Sequence, residues 1–134
     1  MRKNVIIVGM CSSKMKQRYP NGLPRKNSTI YHLEKWLEEW ELRACSFVNL
    51  SGNPDWDGKI PEAAYIELIK DYDRVIALGA LVAKHLNKAG VEHLRLPHPS
   101  GQNLQMNDKK WVAEQVKTAR EYIFAENEND NKRK

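Results

Sequence analysis

"RVIALGALVAKHLNKAGVEHLRL", residues 74–96, is the stretch on which the fold turns. Arg74–Leu78 is a short apolar run of the kind that is buried on both faces of a parallel sheet. Gly79 breaks it. Ala80–Ala89 then reads as a helix, and Gly90 stops it because glycine accepts the left-handed conformation that ends helices. His93–Leu96 returns as a second strand. A strand, a helix and a strand in so short a span form a crossover unit, which joins parallel strands.

The same alternation extends outward. "NVIIV" (Asn4–Val8) is a β-branched run closed by Gly9 and reads as a buried strand. Residues 9–27 show no period and hold Gly9, Pro20, Gly22 and Pro24, so they form a long loop; long loops inside small domains are often functional. Ile30, Leu33, Leu37 and Trp40 repeat at helical spacing from Ser28, with Asn27 or Ser28 as cap. "ACSFVNL" (Ala44–Leu50) is a further strand, and "SGNPDWDGK" after it is irregular. Pro61 is expected to open a helix that runs to Tyr72. Beyond "HLRL", the last helix is expected over Asp108–Phe124 with Asn107 as its cap. Four strands alternating with helices predict an α/β fold, a three-layer α/β/α sandwich around a central, mostly parallel four-stranded sheet.

The bulk properties agree with one domain over residues 1–125, followed by the polar tail "ENENDNKRK" at 126–134, which is expected to be disordered. Hydrophobic residues make up 41% of the chain, enough for a core, and no apolar run approaches the length of a membrane helix. A cytoplasmic protein without membrane contact is expected. Cys11 and Cys45 fit neither a disulfide framework nor a zinc spacing, so reduced thiols, no structural metal and no cofactor are expected. The net charge of +5 is compatible with a polyanionic partner such as nucleic acid, and equally with a basic surface that has no such partner.

In open parallel sheets the ligand lies beyond the carboxyl ends of the strands. Here those ends are Gly9–Ser13, Asn49–Asn53, Gly79 and the segment His98–Asn103. His98 could hydrogen-bond to a growing negative charge or move a proton near neutral pH. Pro99 fixes the backbone there, and Ser100 and Gly101 leave amides for an anion. Gly9 would let a ligand approach the backbone, and Ser12 and Ser13 offer hydroxyls. No Lys-Ser/Thr follows at phosphate-loop spacing. Cys11 is either a nucleophile with His98 as its base or a small buried apolar residue. Asn49 either reads a planar base or caps the next turn. Lys14, Lys16, Arg18, Arg25 and Lys26, with Tyr19 among them, suit a nucleic-acid strand or a solvated charged loop. Trp56 is a weaker candidate for base contact. His32, His85 and His93 read as structural.

Five pieces, in this order, resemble the uracil-DNA glycosylase superfamily: "VIIVGMCSS", "GLPRKNSTIYHLEKWL", "FVNL", "VIALGALVAKHL" and "LPHPSG". Together they span roughly residues 4–123. The resemblance implies hydrolysis of an N-glycosidic bond in DNA on a flipped base. It places Gly9, Met10 and Ser12 in the floor of the base pocket, has Asn49 hydrogen-bond the base, and has His98 hold charge on the departing base. Ser13, Lys14, Pro99, Ser100, Gly101, Gln102 and Asn103 would contact the DNA backbone.

Two departures stand out. The family usually carries Asp, Asn or Glu one or two residues after the first-motif glycine to orient water, where this chain has Met10 and Cys11. The base-stacking aromatic position holds Arg25, whose guanidinium can also stack on a base. Asp55, Asp57, Asn103 or His98 itself could replace the water activator. The alternatives are a nucleic-acid or nucleotide-binding module without hydrolysis, and a Cys11-dependent base-modification enzyme. The partner is DNA, single-stranded or carrying a modified base, or a free nucleotide or base.

Overall fold

The computed structural model describes residues 4–11, 19–24, 28–42, 45–99 and 104–125, the side chains of Cys11 and Leu104 excepted. The elements are β1 (Val5–Cys11), α1 (Thr29–Glu39), β2 (Ser46–Ser51), α2 (Ala63–Lys70), β3 (Arg74–Leu78), α3 (Ala80–Lys88), β4 (Leu94–Leu96), a 3-10 turn over Leu104–Asn107, and α4 (Lys109–Phe124). The four strands form one sheet in the order β2-β1-β3-β4, and every pairing is parallel. The expected α/β sandwich is therefore the observed architecture.

The two apolar runs take the central places because only there are both faces covered. Val5–Val8 and all of β3 are buried. Alternate residues of these strands feed two separate cores. Val5, Ile7, Ile76 and Leu78 pack with Leu33, Trp36 and Trp40 of α1 and Val116, Ala119 and Ile123 of α4. Ile6, Val8, Val75 and Ala77 pack with Ile69 of α2 and Val82, Ala83 and Leu86 of α3. So α1 and α4 cover one face and α2 and α3 the other. Trp40 is fully buried, and its indole N–H donates to the Val116 carbonyl at 2.9 Å, which ties α1 to α4. At the amino end of β3, buried Arg74 donates to the carbonyls of Tyr122 and Ala125 and locks the end of α4 to the sheet.

The strand β1 runs on through Gly9 to Cys11, past its expected end at Val8, α2 ends at Lys70 before Tyr72, and β4 starts at Leu94 after His93. Three further boundaries differ from expectation. The α2 helix begins at Ala63, and Pro61 precedes its cap, Glu62. The reason lies in two bonds: Glu62 N–H donates to Leu50 O at 2.9 Å, and the Glu62 carboxylate accepts from Gly52 N–H at 2.7 Å. Glu62 is thereby held to the end of β2, and the helix starts after it. The cap of α4 is Asp108, whose carboxylate accepts from Trp111 N–H at 3.0 Å, because the 3-10 turn ends at Asn107. The strand β2 starts at Ser46, where it pairs with Ile6, and residues 43–44 lie outside the described chain.

The cysteines cannot pair. Cys45 Sγ lies 3.6 Å from the carbonyl of Val5, whereas Cys11 stands six residues further along β1. At ~3.3 Å per residue that is a separation of ~20 Å, far beyond the Cα spacing a disulfide spans.

Among the described residues no helix is long and apolar enough to cross a membrane.

Candidate functional site at the carboxyl edge of the sheet

The strand order fixes where a ligand can enter. From β1 the chain leaves through α1 on one face toward β2. From β3 it leaves through α3 on the other face toward β4. The two connections diverge, and the winding reverses between the carboxyl ends of β1 and β3, the position at which sheets of this kind hold a ligand crevice. A glycine stands at each of these ends, Gly9 in β1 and Gly79 just after β3.

Both glycines are needed for the packing above them. Gly9 lies opposite Asn49 of β2. A Cβ on Gly9 would stand 2.4 Å from Asn49 Oδ1 and 3.1 Å from Phe47 Cζ. The Asn49 side chain thus leans off its own edge strand and lies over β1. Gly79 adopts φ +91°, a conformation that favours glycine, and its N–H donates to Leu96 O at 2.8 Å. A Cβ there would stand 3.5 Å from His98 Cβ and 3.9 Å from His98 Cδ2. The His98 side chain therefore leans from the β4 edge toward the end of β3.

Each side chain leans inward from an edge strand toward a central one. Three strand spacings separate β2 from β4, ~14 Å at the backbone. Gly9 and Gly79 sit on neighbouring strands with Val8 level with Ala77, so they are offset by one residue. That places the two glycines ~6 Å apart. The carboxamide stands over one glycine and the imidazole beside the other, at the same end of the sheet.

Asn49 is half-buried, and among the described residues its carboxamide has no hydrogen-bond partner. The turn-capping role open to it in the sequence is taken by its neighbours. Ser51 Oγ accepts from Asn53 N–H at 3.1 Å, Asn53 Oδ1 from Asp55 N–H at 2.9 Å, and Asp57 Oδ1 from Lys59 N–H at 2.9 Å. One donor and one acceptor of Asn49 are left to face the crevice.

His98 is partly buried between Pro97 and Pro99, both buried. Burial pulls its imidazole below the ordinary value of 6.5. A neutral imidazole at neutral pH keeps one N–H donor without a charge of its own.

The remaining sequence-predicted residues divide into three groups. Met10 is 37% exposed near the end of β1. Cys11 ends β1 opposite Ser51, so its backbone belongs to the same edge. Pro99 is fully buried, so it braces His98 from within and is not placed to grip a DNA backbone. Gly9 is not an open approach to the backbone either, because Asn49 and Phe47 fill the space above it. Ser12, Ser13, Lys14, Lys16, Arg18, Arg25, Lys26, Ser100, Gly101, Gln102 and Asn103 lie outside the described residues.

Trp56 is not a base contact. Its ring packs against the α2/α3 core and against the His85 ring, with centroids 5.5 Å apart, and its N–H donates to Ile60 O at 2.9 Å. His85 Nε2 in turn stands 2.7 Å from Gly58 O. These contacts pin loop 52–60 to α3. Asp57, a candidate water activator, spends a carboxylate oxygen on the turn at Lys59.

One residue at the site was missed. Phe47 reads as an ordinary strand apolar residue, yet it is 48% exposed and joins neither core. Its parity with Asn49 was the available signal, since residues two apart on a strand share a face.

No family model and no curated protein matches the chain.

Proposed function

We propose that the crevice binds a single unstacked base of a DNA strand, and that the protein cleaves the N-glycosidic bond of that base. The observation that carries this reading is the placement of the Asn49 carboxamide over Gly9 and of the partly buried His98 imidazole beside Gly79, at the carboxyl ends of neighbouring central strands. A carboxamide presents one donor and one acceptor in a plane, the complement of a base edge. As the glycosidic bond lengthens, electrons move onto the base, and a neutral imidazole N–H stabilises that charge without a proton having to arrive first. Water then attacks the sugar carbon. The base must leave its stack because the bond is inaccessible inside a duplex. The resemblance to the uracil-DNA glycosylase superfamily, on the five stretches quoted above, supports the same assignment of Asn49 and His98.

The second reading is a base-binding module on the same framework that does not hydrolyse. It is favoured by Met10 and Cys11, which supply no carboxylate beside Gly9, and by the engagement of Asp57 in its own turn. Incubation with single-stranded oligonucleotides bearing uracil or modified bases separates the two. Release of free base that falls about 100-fold or more in His98→Ala supports hydrolysis, since removing one such donor costs ~10²–10³ in rate. Salt-dependent binding with no release under any condition supports the binding module. Absence of both binding and release disposes of both readings.

A further inference from the structure

We infer that Phe47 is the wall against which the bound base stacks, a role the family resemblance gives to the position of Arg25. This rests on the base-binding reading of the crevice and adds a residue to it. Three observations carry it. Phe47 is about half exposed, belongs to neither core, and stands on an edge strand. Its Cζ and Asn49 Oδ1 both lie within 3.1 Å of the one point that a Gly9 Cβ would occupy, so the ring tip and the carboxamide are neighbours. The carboxamide has no partner among the described residues. A planar ligand that pairs its edge with Asn49 is thereby brought beside the aromatic ring.

The residue types divide the work. The carboxamide reads an edge and so discriminates among bases. The phenyl face accepts any base, because every base has a π-face, and it holds the base out of its strand. Phe47 also explains how the site manages with arginine at position 25: the neutral, apolar contact is supplied from β2.

The chain contains two phenylalanines, Phe47 and Phe124, and the second lies at the far end of α4. Labelling with 4-fluorophenylalanine therefore gives two fluorine resonances, assigned by loss of one in Phe47→Leu. A single-stranded oligonucleotide with one central uracil is titrated in while binding is followed independently by fluorescence anisotropy of the strand. The expected result is a saturable shift of the Phe47 signal that tracks the anisotropy, with Phe124 unmoved. Phe47→Leu is expected to weaken binding about tenfold, and Phe47→Tyr to restore it, as the worth of one base–aromatic stack implies. If the strand binds in a manner that depends on Asn49 but the Phe47 signal stays fixed, the stacking role is wrong and the base-binding reading stands. If the strand does not bind, both fall. If Phe47→Leu and Phe47→Tyr weaken binding equally, the ring acts through folding and the proposal is overturned.

Discussion

Replacing Gly9 by alanine tests the packing on which the site depends, without requiring any ligand. The new methyl would stand 2.4 Å from Asn49 Oδ1, a separation Cβ atoms do not tolerate, and 3.1 Å from Phe47 Cζ. Gly9 cannot yield easily, because it belongs to a central strand with β2 on one side and β3 on the other. Asn49 must move instead. Overpacking of this kind costs ~1–3 kcal/mol. Glycine to alanine in a permitted conformation returns ~0.4–1 kcal/mol through the unfolded chain. The net expected for Gly9→Ala is a loss of ~1–2 kcal/mol. With Asn49→Ala already in place the obstructing oxygen is gone, and only the tip of a half-exposed ring remains. In that background Gly9→Ala should be neutral or stabilising, which gives a coupling of ~1–2 kcal/mol between the two positions, within the usual range for contacting residues. Urea unfolding of the four proteins measures it. Equal costs of Gly9→Ala in both backgrounds would mean that Asn49 does not lie over Gly9, and the geometry of the site would be wrong.

Three further outcomes follow from the same structure. Folding stability should fall as pH drops below about 6.5, the ordinary imidazole value. The folded values of His98 and His32 are lowered, so the unfolded chain binds more protons in that window. His98→Gln should remove part of the slope, and an unchanged slope in urea titrations at pH 5 and pH 8 would refute the buried state of His98. Cys45, with burial pushing its thiol up to about 11, should resist iodoacetamide at pH 8 in a Cys11→Ser protein and react on unfolding in urea; fast alkylation of the native state would contradict its burial. Arg74→Met should cost ~2–3 kcal/mol, because it strips charged donors from the Tyr122 and Ala125 carbonyls. Hydrogen exchange should show the end of α4 opening first in that variant, and a uniform loss of protection would speak against a local anchor.

The parts of this fold legible in the sequence are those set by single segments. "VIIV" and "RVIAL" could only be buried strands, and Gly90 could only be a stop, with φ +72° as found. Alternation implies the parallel sheet, and the sheet implies the edge on which Gly9 and Asn49, and Gly79 and His98, lie. The strand order was not legible, because it depends on which helices find which face. Helix starts were misread where a tertiary bond overrode local preference, as Glu62 bonded to Leu50 O overrode Pro61. The site residue that escaped, Phe47, escaped because its apolar character fits a core strand; only the edge position of β2 exposes it. The reverse holds for Trp56, whose loop position suggested a surface role, and for Pro99, which the sequence placed toward DNA. Trp56 is partly buried against the α2/α3 core, and Pro99 is fully buried.

The central claim is that Asn49 and His98 serve one ligand across the crevice between β1 and β3. Nitrogen-15 NMR of the Asn49 side-chain amide and the His98 imidazole tests it, during titration with deoxyuridine and with a uracil-bearing single strand. The account predicts that both groups shift together and saturate with a single dissociation constant, and that Asn49→Ala abolishes the His98 shift at the same ligand concentration. Shifts of only one group, or of two groups with different affinities, would show that the edge of this sheet does not hold one site.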